Sequence, residues 1–246
     1  MKIKKKETTN KIKTSSILLV LASGCMWGCM GLVVRPLNET GLVTMDICFL
    51  RSVITFAVML VGLLIFDRSA LKIKLKDVWC FIGTGALSVS FFNFCYFKTI
   101  TLTSLSVAAV LLYTAPAFVM IMSFFLFKED MTKKKVAALV IAFMGCVLVS
   151  GVAGGGGTLN AKGLLVGLGA GFGYALYSIF GRYALQRGYN SMTITFYTFV
   201  FATLATVFMA DVSSIINIVE TRPGLSVYAA FMILVVTLFP YLCYTK

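Results

Sequence analysis

Residues 99–127 run 29 positions without a charge, fenced by Lys98 on one side and by Lys128, Glu129 and Asp130 on the other. A helix rises ~1.5 Å per residue, so ~20 apolar residues cross a ~30 Å hydrocarbon core. The run is therefore expected to be one transmembrane helix. It opens on the hydroxyls of Thr99, Thr101, Thr103, Ser104 and Ser106 and carries Tyr113, Thr114 and Pro116 near its middle. Pro116 has no N–H to give the carbonyl of Leu112, which predicts a kink: either a packing device or the wall of a solute pathway.

The rest of the chain obeys the same constraint. Hydrophobic residues make up 59%, charged residues 13%, and the mean hydropathy is +0.95; about a quarter of a soluble protein is charged. The composition is that of an all-α polytopic membrane protein. A formal charge of +13 suggests nucleic acid only in a soluble chain. Here the basic residues fall between apolar runs, where they set orientation, and a nucleic-acid partner is excluded. There is no histidine and no CxxC pair among the seven cysteines, so neither a metal site nor a cofactor is expected. The cysteines lie in apolar runs and should pack as small hydrophobes.

Eight membrane-length runs are expected: 14–34, 41–66, 78–97, 99–127, 136–152, 163–181, 188–210 and 223–245. Residues 1–13 form a basic tail with six lysines. The sequence Leu21-Ala22-Ser23-Gly24-Cys25 approaches a lipoprotein cleavage box, but an uncleaved first helix fits the spans that follow. With the N-terminus inside, 17 basic residues face the cytoplasm and four (Arg35, Lys98, Lys162, Arg222) face out, which orients the chain.

An internal repeat divides it. At an offset of 147, Gly24, Gly28, Gly31 and Arg35 meet Gly171, Ala175, Ser178 and Arg182, and Trp27 meets Tyr174. At 148, Cys95, Tyr96 and Lys98 meet Cys243, Tyr244 and Lys246. An odd number of spans per unit inverts the second copy, the plan of many secondary transporters, with the solute site between halves. The expected units are 14–152, with five helices, and 163–246, with three, joined by an external glycine-rich linker at 153–162. The second unit lacks counterparts of residues 99–152, so about fifty further coding residues are expected. An inactive fragment is the competing reading.

The chain resembles the drug/metabolite transporter superfamily, specifically its EamA-type repeat proteins of ten transmembrane helices. Trp27-Gly28, Arg51, Tyr96, Tyr113-Thr114-Ala115-Pro116 with the closing Glu129, and Gly145 in Met144-Gly145-Cys146-Val147-Leu148 carry the resemblance. It covers the whole chain, but its motifs are structural and name no substrate. It implies a bacterial inner-membrane carrier of small metabolites.

Arg51 is the residue most suggestive of chemistry, because a charge within a span usually faces a bundle interior or an aqueous cavity. Asp46 lies about 140° around the helix and is a poor partner; another helix's carbonyls or a solute anion would serve. Asn93 and Tyr96 share a face, and Trp27, Tyr113, Tyr174 and Tyr177 supply aromatic walls beside Pro116. These eight residues are the expected substrate pathway. Glycines 24, 28, 163, 167 and 171, at GxxxG spacing, should pack helices closely. Glu129 and Asp130 read as a solvated helix end. A polytopic membrane transferase, a distant alternative, would need paired acids or a histidine at a membrane face, and the sequence offers no histidine and no DxxxD-type cluster. With no acid in residues 14–34 and a lone arginine in a span, the expected solute is zwitterionic or anionic, amino-acid-like, with a homodimer possible.

Overall fold

The computed structural model describes residues 14–29, 31–149 and 160–245. All regular structure among them is helical. The tail, residues 150–152 of the first unit and residues 153–159 of the linker lie outside them. Helices α1 (Thr14–Gly28), α2 (Gly31–Asn38) and α3 (Thr44–Phe66) are followed by a loop of 3-10 turns. The next span combines α4 (Val78–Ile82), a π-helical stretch (Gly83–Ser90) and α5 (Phe91–Leu102). Then come α6 (Leu105–Leu112), α7 (Ala115–Phe127), α8 (Lys133–Val149), α9 (Ala161–Gln186) and α10 (Ser191–Thr206). The chain closes with α11 (Val212–Thr221), α12 (Pro223–Ile233), a second π stretch (Leu234–Leu238) and α13 (Phe239–Thr245).

Five continuous runs among the described residues are long and apolar enough to cross a membrane: Thr44–Phe66, Leu75–Leu102, Leu105–Phe127, Ala161–Gln186 and Pro223–Cys243. The other three expected spans are shorter helices of 15, 17 and 16 residues (α1, α8 and α10). The first expected span, 14–34, is not one helix: α1 ends at Gly28 and α2 begins at Gly31.

The uncharged run 99–127 also differs from expectation. Its first residues finish α5, the chain turns at Thr103, and the Ser104 hydroxyl caps α6 by accepting from the Val107 N–H at 3.2 Å. A serine oxygen satisfies an orphan N–H at a helix start, so the hydroxyl cluster that looked like a helix opening is a helix boundary. A second break falls where proline predicts one. Pro116 sits in the first turn of α7, and the Thr114 hydroxyl donates to the Leu111 carbonyl at 2.6 Å. The Leu111 carbonyl also accepts from the Thr114 N–H at 3.1 Å, so Thr114 bonds it twice at the break.

At the centre, α9 packs on α4 to α7 and on the first π stretch. The close approach rests on glycine. A Cβ at Gly171 would lie 2.4 Å from Thr114 Oγ1 and 3.0 Å from the Leu111 carbonyl, at the kink itself. Gly167 and Gly163 likewise leave room for the side chains of Leu111 and Thr103, so this part of the GxxxG stripe is a close-packed seam, with backbone neighbours at Gly171. Gly24 is different, with nothing within 4 Å. On the other side, α10 lies between α3 and the first π stretch, where Thr198 donates to Thr84 at 2.7 Å. Ser90 and Leu238, which close the two π stretches, stand at the 148-residue offset that pairs Cys95 with Cys243. Among the described cysteines Cys48, Cys80 and Cys95 are buried, Cys243 is half-buried, and Cys25 and Cys29 are exposed.

Candidate functional site

Two cavities meet inside this bundle. The larger, about 600 Å³, is an open cleft among α7, α8 and α9. Tyr113, Pro116, Val119 and Met120 form one wall, Ala138, Leu139 and Ala142 another, and Glu129 and Lys135 stand at one end. It exists because α8 touches the bundle only slightly, through α6. The smaller cavity, about 20 Å³, holds roughly one water and is enclosed by Trp27, Phe92, Tyr174, Tyr177, Tyr241 and Ser88 with neighbouring backbone. Tyr174 and Ser178 of α9, one turn apart on one face, line both cavities.

The small chamber is an aromatic box organised on Tyr241. Trp27 meets its ring edge-on at 5.6 Å, Tyr177 at 5.4 Å and Phe199 at 5.2 Å. Tyr174 meets Phe92 at 5.5 Å. Edge-to-face contacts at these separations are attractive and fix ring orientation. Tyr96 stacks on Phe92 at 5.6 Å, outside the chamber wall.

Arg51 reaches this region from α3. Its Nε donates to Thr237 Oγ1 at 3.1 Å, and Thr237 precedes Tyr241 by four residues on the last span. Its protein partner is thus a hydroxyl of another helix; of the two partners expected, another helix's carbonyls or a solute anion, the bond is neither. Among the described residues Arg51 is in no ion pair. One turn further along α3, Thr55 Oγ1 is buried without a hydrogen-bond partner. Asp46 is fully engaged elsewhere: Oδ2 accepts from the Val43 N–H at 2.9 Å and Oδ1 from the Asp211 N–H at 2.8 Å. That carboxylate caps its own helix and ties it to the start of α11.

Of the eight residues expected to line a pathway, the structure brings Trp27, Tyr174 and Tyr177 to the chamber and Tyr113, Pro116 and Tyr174 to the cleft. Arg51 and Tyr96 are in the lining of neither; Arg51 bonds Thr237, one turn before the chamber residue Tyr241. Asn93 lines neither cavity; its amide donates to the Val89 carbonyl at 2.6 Å, a local bond within its own span. Tyr241, Phe92, Ser178 and Thr237 were not singled out from sequence. Tyr241 had a signal, because the 148-residue offset places it opposite Asn93.

Glu129 stands partly exposed just past the end of α7, as expected, but it is not unpaired. It pairs with Arg182 of α9 and lies 3.7 Å from Lys135, while Arg182 stacks over Phe127 at 4.0 Å. The Arg182 hydrogen bond, with help from the Arg182 and Lys135 charges and against partial desolvation, holds the Glu129 carboxyl below its ordinary range. The pair joins the end of α7 to α9 beside the mouth of the cleft.

The EamA-like transporter family model matches residues 14–151 and again 161–246. The chain belongs to that family. A relative described as an uncharacterized transporter, from Archaeoglobus fulgidus, is 31% identical over 124 residues. That alignment takes in 50% of this chain and 43% of the relative, so the chain spans less than half of the relative's length in the match. A solved crystal structure superposes with a TM-score of 0.65 at 19% identity, over 94% of this chain and 78% of that one. At that identity the likeness is one of fold. This EamA-like chain is a multi-pass membrane protein of a transporter family, and its cavities are candidate solute sites. Among the described residues no cluster of three metal-ligating side chains occurs.

Proposed function

We propose that the chain is a secondary transporter. It moves a small zwitterionic or anionic metabolite, with amino acids as first candidates, across the bacterial inner membrane by alternating access. The observation that carries the reading is the meeting of the open cleft and the closed aromatic chamber at Tyr174 and Ser178. A solute in the cleft can enter the chamber only if α9 and its Tyr174 shift, which is a local form of gating between two access states. Aromatic walls with few polar groups suit a small organic solute. Arg51, with Thr55 and Thr237 beside it, supplies a cation and hydroxyls for a carboxylate. The two π stretches closing at one repeat offset, and the two separate family matches, support an inverted pair of units.

The test is flux of a labelled amino-acid mixture in proteoliposomes. Uptake or exchange that is reduced by Tyr174→Ala and by Arg51→Ala supports the reading; no flux of any amino acid or carboxylate defeats it. Orientation is tested separately with single cysteines. An impermeant thiol reagent applied outside cells should label Gly156→Cys and not Lys76→Cys, and the reverse pattern would place the N-terminus outside.

A further inference from the structure

A third cavity lies away from the solute path, where the loop between α3 and α4 meets the turn between α9 and α10. It measures about 410 Å³ and is lined by Ser69, Lys72, Lys74, Arg187, Tyr189 and Asn190 with adjoining backbone. Its lining holds three cations and no carboxylate. Two carboxylates flank this lining and both are engaged: Asp77 accepts from Arg187 Nε at 2.9 Å and from the Tyr189 hydroxyl at 2.8 Å, and Asp67 accepts from the Ser69 N–H at 3.1 Å and from the Ser69 hydroxyl. Among the described residues the Lys72 and Lys74 ammonium groups are in no ion pair.

The walls are fixed before any ligand arrives. The Lys74 N–H donates to the Tyr189 hydroxyl at 3.0 Å, Thr193 Oγ1 to the Ala70 carbonyl at 2.9 Å, and the Tyr197 hydroxyl to the Leu71 carbonyl at 2.7 Å. These three bonds hold the backbone of the basic loop against Tyr189 and the start of α10. Depth is marked by Trp79, which is 40% exposed and carries the Arg187 guanidinium over its ring at 4.9 Å. Half-exposed tryptophan beside a cation is the signature of the headgroup layer.

We infer that this cavity binds a phosphate-bearing anion, and that the phosphodiester headgroup of an anionic phospholipid is its occupant. A basic pocket between spans at headgroup depth meets such lipids at high local concentration. The cavity volume falls in the range that encloses a small ligand, and two unpaired lysines with a preorganised guanidinium match a phosphate's charge and its several acceptors. The site is independent of the solute pathway, so its test does not depend on flux.

The experiment is native mass spectrometry of the whole purified protein in detergent, with phosphatidylglycerol, phosphatidylcholine or inorganic phosphate added in turn. Phosphatidylglycerol adducts should exceed phosphatidylcholine adducts. The double change Lys72→Gln/Lys74→Gln should weaken phosphatidylglycerol binding about fivefold per lysine, roughly twenty-five-fold together. The control Lys133→Gln/Lys134→Gln, in a basic run outside the cavity, should leave it unchanged. Protection of Lys72 and Lys74 from amine acylation separates the sources. Protection by phosphatidylglycerol supports the lipid, and protection by inorganic phosphate alone keeps the anion site but overturns the lipid as its occupant. Equal weakening by both double variants, or no protection by either anion, overturns the site.

Discussion

Arg51 and Thr237, 186 residues apart, share a 3.1 Å hydrogen bond that joins the second expected span to the last one. The bond uses one guanidinium nitrogen and leaves two for a ligand, since arginine presents five donors in a planar fork. Lysine keeps the charge but loses the fork. Arg51→Lys should therefore retain part of the flux of carboxylate solutes and Arg51→Ala should lose it by about tenfold to a hundredfold, the range of a charge-assisted hydrogen bond. Flux of a neutral amide analogue, measured in the same proteoliposomes, should change far less. Equal loss for both solutes would show that Arg51 holds the helices and does not read charge.

Asp46 separates the structural carboxylate from a coupling one. It is 2% exposed and both oxygens accept backbone N–H groups, at Val43 and at Asp211. Asp46→Asn keeps one acceptor and turns the other into a donor facing an N–H. The expected result is a loss of stability of about 1–2 kcal/mol, read as a lower thermal midpoint, with the pH profile of transport unchanged. A flattened pH profile would make Asp46 a proton carrier.

The glycine stripe yields a paired comparison. Gly171→Ala would place a methyl 2.4 Å from Thr114 Oγ1 in a seam where both partners are backbone-close, whereas Gly24→Ala meets nothing within 4 Å. Gly171→Ala should cost about 1–3 kcal/mol and Gly24→Ala should be neutral or slightly stabilising, since alanine is the better helix former. Thermal unfolding of both variants in one detergent decides it. Equal effects would mean that the seam repacks freely.

The same pair of glycines shows what sequence could and could not deliver. All-helical membrane architecture was legible because hydrocarbon thickness dictates run length, and the kink was legible because proline lacks an N–H. Which glycines would be packed was not. Gly24 and Gly171 both sit at GxxxG spacing and pair at the 147-residue offset, and only tertiary placement decides which one meets another backbone. The break at Thr103 was missed for a related reason. Apolar length was read as one helix, while the Ser104 cap, a local signal, marked the boundary. At the candidate site, Trp27, Tyr113, Tyr174 and Tyr177 were found by residue type, which is how aromatic cavities are built. Tyr241 was missed because a tyrosine near a span end reads as an interfacial anchor, and Asn93 was over-read because its amide is satisfied within its own span.

The Glu129–Arg182 pair closes one end of the wide cleft and responds to acid with a defined sign. Its carboxyl is held below the ordinary value, first by the Arg182 hydrogen bond. A carboxyl lowered on folding contributes stability that is fully present above its unfolded value, about 4.5, and is lost as pH falls through the lower folded value. Between neutrality and pH 5 the pair should therefore be insensitive to pH, and its contribution should fade only in stronger acid. Both side chains are more than a third exposed, so the effect on global stability is small. The effect on access should be larger, because Glu129 lines the cleft and its partner belongs to α9, the helix that also carries Tyr174. Ser123, buried on the same cleft wall, provides the reporter. In a chain whose native cysteines are replaced, Ser123→Cys should react several-fold faster with a water-soluble maleimide at pH 7 when Glu129→Gln is also present. The thermal midpoint of Glu129→Gln should fall slightly beneath wild type at pH 7 and coincide with it only in acid below the lowered folded value of the carboxyl. Unchanged labelling with an unchanged midpoint at pH 7 would show that the ion pair is a surface contact with no hold on the cleft.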